Sequence, residues 1–231
     1  MDDFADYPPQ VKELPRVGYS NINVEKVVGL QPDFVYAATR QRRFVPDLEQ
    51  AGLTVLYLEE PATVEGIFDH IRLLGQVTGN EAQAEQLIAQ MRQRIEAIQT
   101  KLAPIQQGPR VFYELTPELY TAGPRSFIGD VFRILKAQNI AEGLEQPFPQ
   151  LSQETLVARD PEVIVLADAA TYGLGKESPE TVKARPGWST ISAVREGRII
   201  EIDSSLVSRP GPRIVDGLEA LAKALYPNLF P

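Results

Sequence analysis

The feature that most constrains the fold of this chain is an internal repeat. Residues 25–35 (EKVVGLQPDFV) align with residues 154–164 (ETLVARDPEVI) at a constant offset of 129 positions. A helix-capping residue, Asn23 or Ser152, stands two positions before the first glutamate of each copy. In both copies an apolar segment leads to a proline and an acid and then to a second apolar run, which predicts a short helix, a turn and a buried strand. The repeat therefore predicts two structurally related lobes.

The chain around the repeat alternates strand-like and helix-like segments. Apolar runs predict strands at residues 34–38, 53–58, 111–115, 163–167 and 198–202. Helices are predicted at residues 23–30, 44–51, 64–74, 126–137 and 210–225, with a short one after Ser152. Strands that alternate with helices form parallel sheets covered by helices. The predicted fold class is therefore α/β, with two Rossmann-like lobes that contain parallel sheets.

A long amphipathic helix is predicted between the two copies of the repeat. Residues 80–102 contain no Gly or Pro, Asn80 suits the N-cap, and Pro104 ends the segment. Apolar residues recur every three or four positions, at Ala84, Ile88, Met91, Ile95, Ile98 and Leu102. A short coiled coil is one interpretation of this stripe, and a spacer that joins the two lobes is the other. The spacer interpretation divides the chain into an N-terminal lobe (1–79), a connecting helix (80–104) and a C-terminal lobe (105–231).

Composition excludes several classes of protein. The net charge of −8 and the pI near 4.9 argue against nucleic-acid binding. The acidic start, MDDF, has no apolar core of a signal peptide, so none is predicted in this chain. The absence of cysteine excludes disulfides and thiolate metal sites.

Catalytic motifs are weak. His70 is the only histidine, and no G-x-S-x-G sequence is present, so a Ser-His-Asp site is not supported. Residues 173–176 (GLGK) lack the spacing of a phosphate-binding loop. We therefore expect no enzyme activity, no cofactor and no metal site. An α/β transferase stays as an alternative, although it would need a phosphate loop or a metal-holding acidic motif.

Aromatic residues in loops favour ligand binding. Tyr19 and Phe148 each stand six positions before the repeated glutamate, and Phe4 and Tyr120 lie in other predicted loops. If both lobes contribute them to one cleft, they offer a flat apolar surface to a large ligand. The alternative is that each ring covers the core of its own lobe. Loop arginines, including Arg209, could meet anionic groups or be solvated.

The repeated glutamates Glu25 and Glu154 have two interpretations. Each is predicted in the first turn of a helix, where a carboxylate stabilises the helix dipole by about 0.3–1 kcal/mol. As matched acids in both lobes, they could also dock onto arginines of a pseudo-symmetric or dimeric partner.

Taken together, four segments resemble the cobalamin and ferric-siderophore binding proteins of ABC importers. They are residues 6–9 (DYPP), 23–33, 185–188 (RPGW) and 209–218 (RPGPRIVDGL). The resemblance implies two lobes joined by one long helix, periplasmic or otherwise extracytoplasmic location, ligand capture between the lobes and delivery to a permease dimer. It implies a protein that is monomeric when free. It also implies that the first lobe lacks its N-terminal strand-helix-strand unit, because residues 6–9 come so early in the chain.

Within that family the chain is most similar to the vitamin B12 binders. The resemblance implies ligand contacts at Phe4, Tyr19, Tyr120, Phe148 and Arg209, and permease docking through Glu25 and Glu154. Ala38 and Leu206 stand where a B12 binder can carry tryptophan. A cobalamin-like corrinoid is therefore the expected ligand, with a ferric siderophore or haem as the alternative.

Overall fold

A computed structural model describes residues 1–167 and 177–230 of the protein. Its contacts divide the chain into two compact units, Met1–Glu60 and Pro61–Pro231. The glycine-containing segment 173–176 lies outside the described residues. In the described part of the chain, no helix combines the length and apolar character needed to cross a membrane.

The smaller unit is a short parallel α/β element. Its helices and strands are α1 (Val24–Gly29), β1 (Val35–Ala37), α2 (Val45–Gln50) and β2 (Val55–Tyr57). β1 and β2 pair in parallel, with Val35 opposite Val55 and Ala37 opposite Tyr57. A 3-10 turn at Thr39–Phe44 leads into α2, which contacts β2 and buries Leu48. This crossover helix allows two successive strands to run in the same direction.

The larger unit contains the main sheet. Its elements are α3 (Val64–Thr78), α4 (Glu81–Leu102), β3 (Arg110–Glu114), α5 (Phe127–Ile134), β4 (Gln138–Asn139), α6 (Gln153–Arg159), β5 (Val163–Leu166), α7 (Pro179–Lys183), α8 (Ser192–Arg195), β6 (Ile199–Glu201), α9 (Ser204–Val207) and α10 (Ile214–Leu225). Within the described ranges the strand order is β4-β3-β5-β6, and every pairing is parallel.

Both faces of this sheet are buried, as parallel sheets require. On one face, Val111 and Val163 join side chains of α4, α5 and α10. On the other face, Phe112 and Ile164 join Trp188 and a side chain of α7. Alternate residues of β3 and β5 thus serve two separate cores.

The two copies of the repeat have the same local structure. The Asn23 carboxamide oxygen accepts the N–H of Lys26 at 2.8 Å, and the Ser152 hydroxyl accepts the N–H of Thr155 at 3.1 Å. α1 leads to β1 and α6 leads to β5, each through a turn with one residue of positive φ. Those residues, Gln31 (47°) and Asp160 (41°), occupy equivalent positions of the repeat. Together with a parallel sheet in each unit, this confirms the predicted α/β fold with two lobes.

The long helix is present as α4, and all six residues of its predicted stripe are buried. The stripe packs against α3, α10 and the sheet core rather than forming an isolated coiled coil. α3 and α4 approach closely at Gly75, where an added Cβ would lie 2.6 Å from the Cβ of Ala84. These contacts assign α3 and α4 to the larger unit. The division at residues 79 and 104 stays a prediction.

Asn80 occupies the N-cap of α4, as predicted, but its side chain forms no capping hydrogen bond. The tight turn at Gly79, with φ of 68°, directs the Asn80 carboxamide back to Thr78, where it donates to the carbonyl at 2.8 Å. The main-chain N–H of Asn80 donates to Gly75 at 2.7 Å and closes the end of α3.

Other helix boundaries also differ from the predictions: α3 continues to Thr78 rather than ending at Leu74. The last helix begins at Ile214 rather than Pro210, because Pro212 restricts the residue before it to extended conformations. α5 ends at Ile134 rather than Ala137, because Lys136 adopts a left-handed conformation with φ of 53°. The chain then enters β4, a two-residue strand that the sequence did not predict.

Candidate functional site

Two of the predicted aromatic residues meet in the smaller unit. The rings of Phe4 and Tyr19 pack edge to face, with centroids 5.1 Å apart at 90°. Phe4 is 43% exposed, and Tyr19 is half-buried. The guanidinium carbon of Arg40 lies 5.7 Å from the centre of the Tyr19 ring. This group therefore presents an apolar ring edge with a cation beside it.

Polar side chains brace the two loops that carry these rings. One Arg16 nitrogen donates to the carbonyls of Asp2 at 2.7 Å and Ala5 at 2.9 Å, on either side of Phe4. The Gln41 amide donates to the carbonyl of Tyr19 at 2.9 Å, and its oxygen accepts the N–H of Ala38 at 3.2 Å. Both loops are thus held by side chains that sequence reasoning did not single out.

The other two predicted aromatics lie on one antiparallel ribbon of the larger unit, formed by residues 119–123 and 147–151. We call it the aromatic ribbon. Its hydrogen bonds run from Thr121 N–H to Pro149 at 2.9 Å and from Gly123 N–H to Pro147 at 2.8 Å, and Tyr120 pairs with Gln150. This register places Tyr120 and Phe148 diagonally on the same face. Tyr120 is 41% exposed and Phe148 is 58% exposed.

An ion triad around a buried carboxylate lies where the aromatic ribbon leaves the sheet. Arg185 donates to both oxygens of the Glu114 carboxylate, at 2.7 and 2.6 Å, and to Glu177 at 2.8 Å. The side chain of Glu114 is fully buried, and that of Arg185 is 17% exposed. The Arg185 guanidinium carbon also lies 4.6 Å from the centre of the Trp188 ring.

The triad keeps Arg185 charged. Burial by itself would lower the pKa of Arg185, but the hydrogen bonds and charges of Glu114 and Glu177 outweigh it and raise the pKa above its ordinary value. Sequence reasoning missed this triad because Glu114 and Arg185 are 71 residues apart. The sequence feature that could have pointed to the triad is the RPGW segment, which begins at Arg185.

Arg209 lies on a different loop of the larger unit, between α9 and α10. It is half-buried, and its neighbour Ser208 has its hydroxyl oxygen 3.5 Å from that of Tyr113. The structure therefore brings Tyr120 and Phe148 together on one ribbon, whereas Arg209 lies on another segment of the same unit.

Both repeated glutamates are exposed in the first turns of their helices, as predicted. The pKa of Glu154 is lowered by its own backbone N–H and by the Ser152 hydroxyl. Glu154 therefore stays anionic near neutral pH.

The larger unit also contains a cavity of about 870 Å³ beside α5 and β4. Its lining includes Arg125, which pairs with Glu145 at 2.5 Å, and none of the predicted ligand or docking residues. In the residues that the structure describes, no three His, Cys, Asp or Glu side chains are grouped so that they could hold a metal ion. The exposed aromatics, and not a preformed cavity or metal centre, are thus the main chemical feature of the predicted site.

Comparison with known proteins gives consistent matches. A family model described as periplasmic binding protein matches residues 2–206. An uncharacterised ABC transporter substrate-binding lipoprotein of Bacillus subtilis, YvrC, is 33% identical, and the alignment covers 97% of this chain and 71% of that protein. A cobalamin-binding protein of Halobacterium salinarum is also 33% identical, over 98% of this chain and 63% of its own length.

The fold is also similar to solved structures. A periplasmic heme-binding protein from Pseudomonas aeruginosa matches with a TM-score of 0.82 and 31% identity. That alignment covers 96% of this chain and 82% of the solved one.

Proposed function

Because this chain belongs to the periplasmic binding protein family, we propose that it is the substrate-binding protein of an ABC importer and that it captures a cobalamin-like corrinoid. Members of this family are non-enzymatic transport components that work outside the cytoplasm. The protein would deliver its ligand to a membrane permease.

The observation that carries the proposal is the exposure of paired aromatic rings. Tyr120 and Phe148 share one face of the aromatic ribbon, and Phe4 packs against Tyr19. Exposed rings on rigid supports suit a large, flat, mostly apolar ligand, because they bury much area with little loss of side-chain entropy. The cobalamin-binding relative supports a corrinoid as that ligand.

Haem or a ferric siderophore is the second candidate. The heme-binding neighbour is one support for it. Arg40 beside the Tyr19 ring is another, because a guanidinium can pair with the carboxylates of haem or the anionic groups of a siderophore. Arg209 could act in the same way.

Calorimetric titration of the protein with cyanocobalamin and, separately, with haemin tests the proposal. We expect saturable binding of cyanocobalamin with a Kd below about 10 μM, a free energy of roughly −7 kcal/mol. Binding of haemin without binding of cyanocobalamin would replace the corrinoid by the second candidate. Binding of neither compound, nor of a ferric catecholate, would reject the proposed function.

Single substitutions then test the aromatic residues. Tyr120→Ala and Phe148→Ala should each weaken binding by about tenfold, because each removes one ring that contacts the ligand. Val77→Ala is the matched control, since Val77 is an exposed apolar residue of α3 outside the ribbon. An equal loss in the control would show that the effect is not specific to the ribbon.

A further inference from the structure

The Arg185 triad, formed by Arg185, Glu114 and Glu177, is a costly feature for a core to contain. A buried ion pair contributes little more to stability than apolar residues of similar volume, because both charges lose their hydration. Here the carboxylate of Glu114 has no exposed surface at all. The location of the triad therefore matters more than its stabilising effect.

Glu114 stands where the main sheet and the aromatic ribbon meet. On one side, its carbonyl accepts the N–H of Ala167, which continues the pairing of β3 with β5. On the other side, Glu114 forms an antiparallel bridge with Thr121, and Leu115 N–H donates to Tyr120 at 2.9 Å. Any tilt of Glu114 is therefore transmitted to the segment that carries Tyr120.

Beyond the junction, the Asn139 carboxamide donates to the carbonyl of Ala122 at 2.8 Å and anchors the residue after Thr121. The hydroxyl of Thr121 itself is buried and has no hydrogen-bond partner among the described residues. At Glu114, the side chain is held by Arg185, which is itself held by Glu177 and by the face of Trp188.

We infer that Arg185 is a positioning residue for ligand binding: by holding both oxygens of Glu114, it fixes the orientation of the aromatic ribbon and so presents Tyr120 and Phe148 to the ligand. The ligand part of this inference rests on the proposed function. The ordering of the ribbon is a property of the free protein, so it can be measured without any ligand.

Amide hydrogen exchange of the free protein is the first measurement. Arg185→Met should accelerate exchange at Thr121, Gly123 and Leu151 by at least about tenfold, because these ribbon amides lose the fixed junction. The amide of Ile164, which donates to the carbonyl of Arg198 just before the neighbouring strand β6, should keep its protection. Arg94→Met is the matched control, because Arg94 also bridges two acids, Asp216 and Glu219, on the surface between α4 and α10.

A double variant separates positioning from simple charge compensation. Arg185→Met combined with Glu114→Gln leaves no uncompensated buried carboxylate, so the melting temperature should recover relative to Arg185→Met. The ribbon amides should still exchange quickly, and the affinity for the bound compound should stay about tenfold below that of the unmodified protein. Return of both exchange and affinity to unmodified values in the double variant would overturn the inference.

Arg185→Lys keeps the test decisive if Arg185→Met does not fold. Lysine retains the positive charge but lacks the planar guanidinium that donates to both carboxylate oxygens in a bidentate pair. We expect faster ribbon exchange in this variant too, and unchanged exchange would overturn the inference. If the unmodified protein binds neither cyanocobalamin, nor haemin, nor a ferric catecholate, the proposed function fails, and the exchange data still decide whether Arg185 orders the ribbon.

Discussion

Asp160 illustrates how one residue of the repeat serves both backbone and side-chain roles. It ends α6 in a left-handed conformation, with φ of 41°, which Asp adopts more readily than most residues. Its carboxylate accepts the N–H of Ser192 at 2.7 Å and the hydroxyl of Ser192 at 2.9 Å. These bonds link the turn before β5 to the start of α8. Gln31, the equivalent residue of the first copy, shares the backbone conformation but has no carboxylate.

Stability at acid pH should depend on Asp160. The N–H and hydroxyl of Ser192, followed by the charges of Arg110 and Arg195, lower the pKa of this carboxyl below its ordinary 3.8. A lowered folded-state pKa adds stability that is present above the unfolded pKa and is lost as the pH falls through the folded one. Urea unfolding of Asp160→Asn should therefore show a smaller fall in unfolding free energy below about pH 4 than unfolding of the unmodified protein.

Asp33→Asn is the control for this measurement, because Asp33 is an exposed acid on the turn of the first repeat copy. Its pH profile should match that of the unmodified protein. Identical profiles for all three proteins would contradict the role of Asp160. Asparagine keeps the left-handed backbone accessible, so the substitution isolates the charge.

At the scale of elements, α4 was the most predictable part of the chain. Its apolar residues are spaced at three and four positions over the whole length, and each of them is buried. A pattern of this length leaves little ambiguity, because burial of one helical face decides the structure. The turn chemistry at its start was less predictable, since Gly79 and Asn80 could close α3 or cap α4.

Core truncation on α4 should be strongly destabilising. Ile88 is 2% exposed, so Ile88→Ala should lower the free energy of unfolding by roughly 2–5 kcal/mol through lost burial and a residual cavity. Gln86→Ala, on the exposed side of the same helix, should change it by less than about 0.5 kcal/mol. Chemical unfolding followed by circular dichroism measures both values. A similar effect of the two substitutions would contradict the observed packing.

Short elements and long-range contacts could not be read from the sequence. β4 has only two residues, both polar, and α7, α8 and α9 have four or five residues each, too few to produce a periodic pattern. The sequence predicts Tyr19 and Phe148 as candidate ligand contacts through their positions before the repeated glutamates, and Phe4 and Tyr120 through their positions in loops. The pairing of Glu114 with Arg185 required the fold, because it depends on how β3 lies beside the segment after α7.

At the scale of the whole molecule, the repeat gives each unit an exposed acid in a first helical turn. Glu25 on α1 and Glu154 on α6 occupy equivalent positions, and neither takes part in an ion pair within the described residues. An exposed acid that forms no intramolecular ion pair remains available to a partner's arginine. We therefore propose these two glutamates as the contacts with an ABC permease.

Charge reversal tests this docking proposal. In vesicles that contain the permease, Glu25→Lys combined with Glu154→Lys should abolish uptake stimulated by the binding protein, because two attractive contacts become repulsive. The affinity for the ligand should be unchanged, since both residues lie outside the aromatic pairs. Ligand affinity by calorimetry and uptake of labelled ligand are measured on the same preparation.

The decisive control changes the net charge by the same amount at other exposed acids. Glu49→Lys combined with Glu180→Lys places one reversal in each unit, and Glu180, like Glu154, lies in the first turn of a helix. If uptake depends on the specific positions, the control should transport normally, and each single reversal at Glu25 or Glu154 should reduce uptake only in part. Equal loss in the control would indicate a general effect of charge, and normal uptake with both repeated glutamates reversed would reject the docking role.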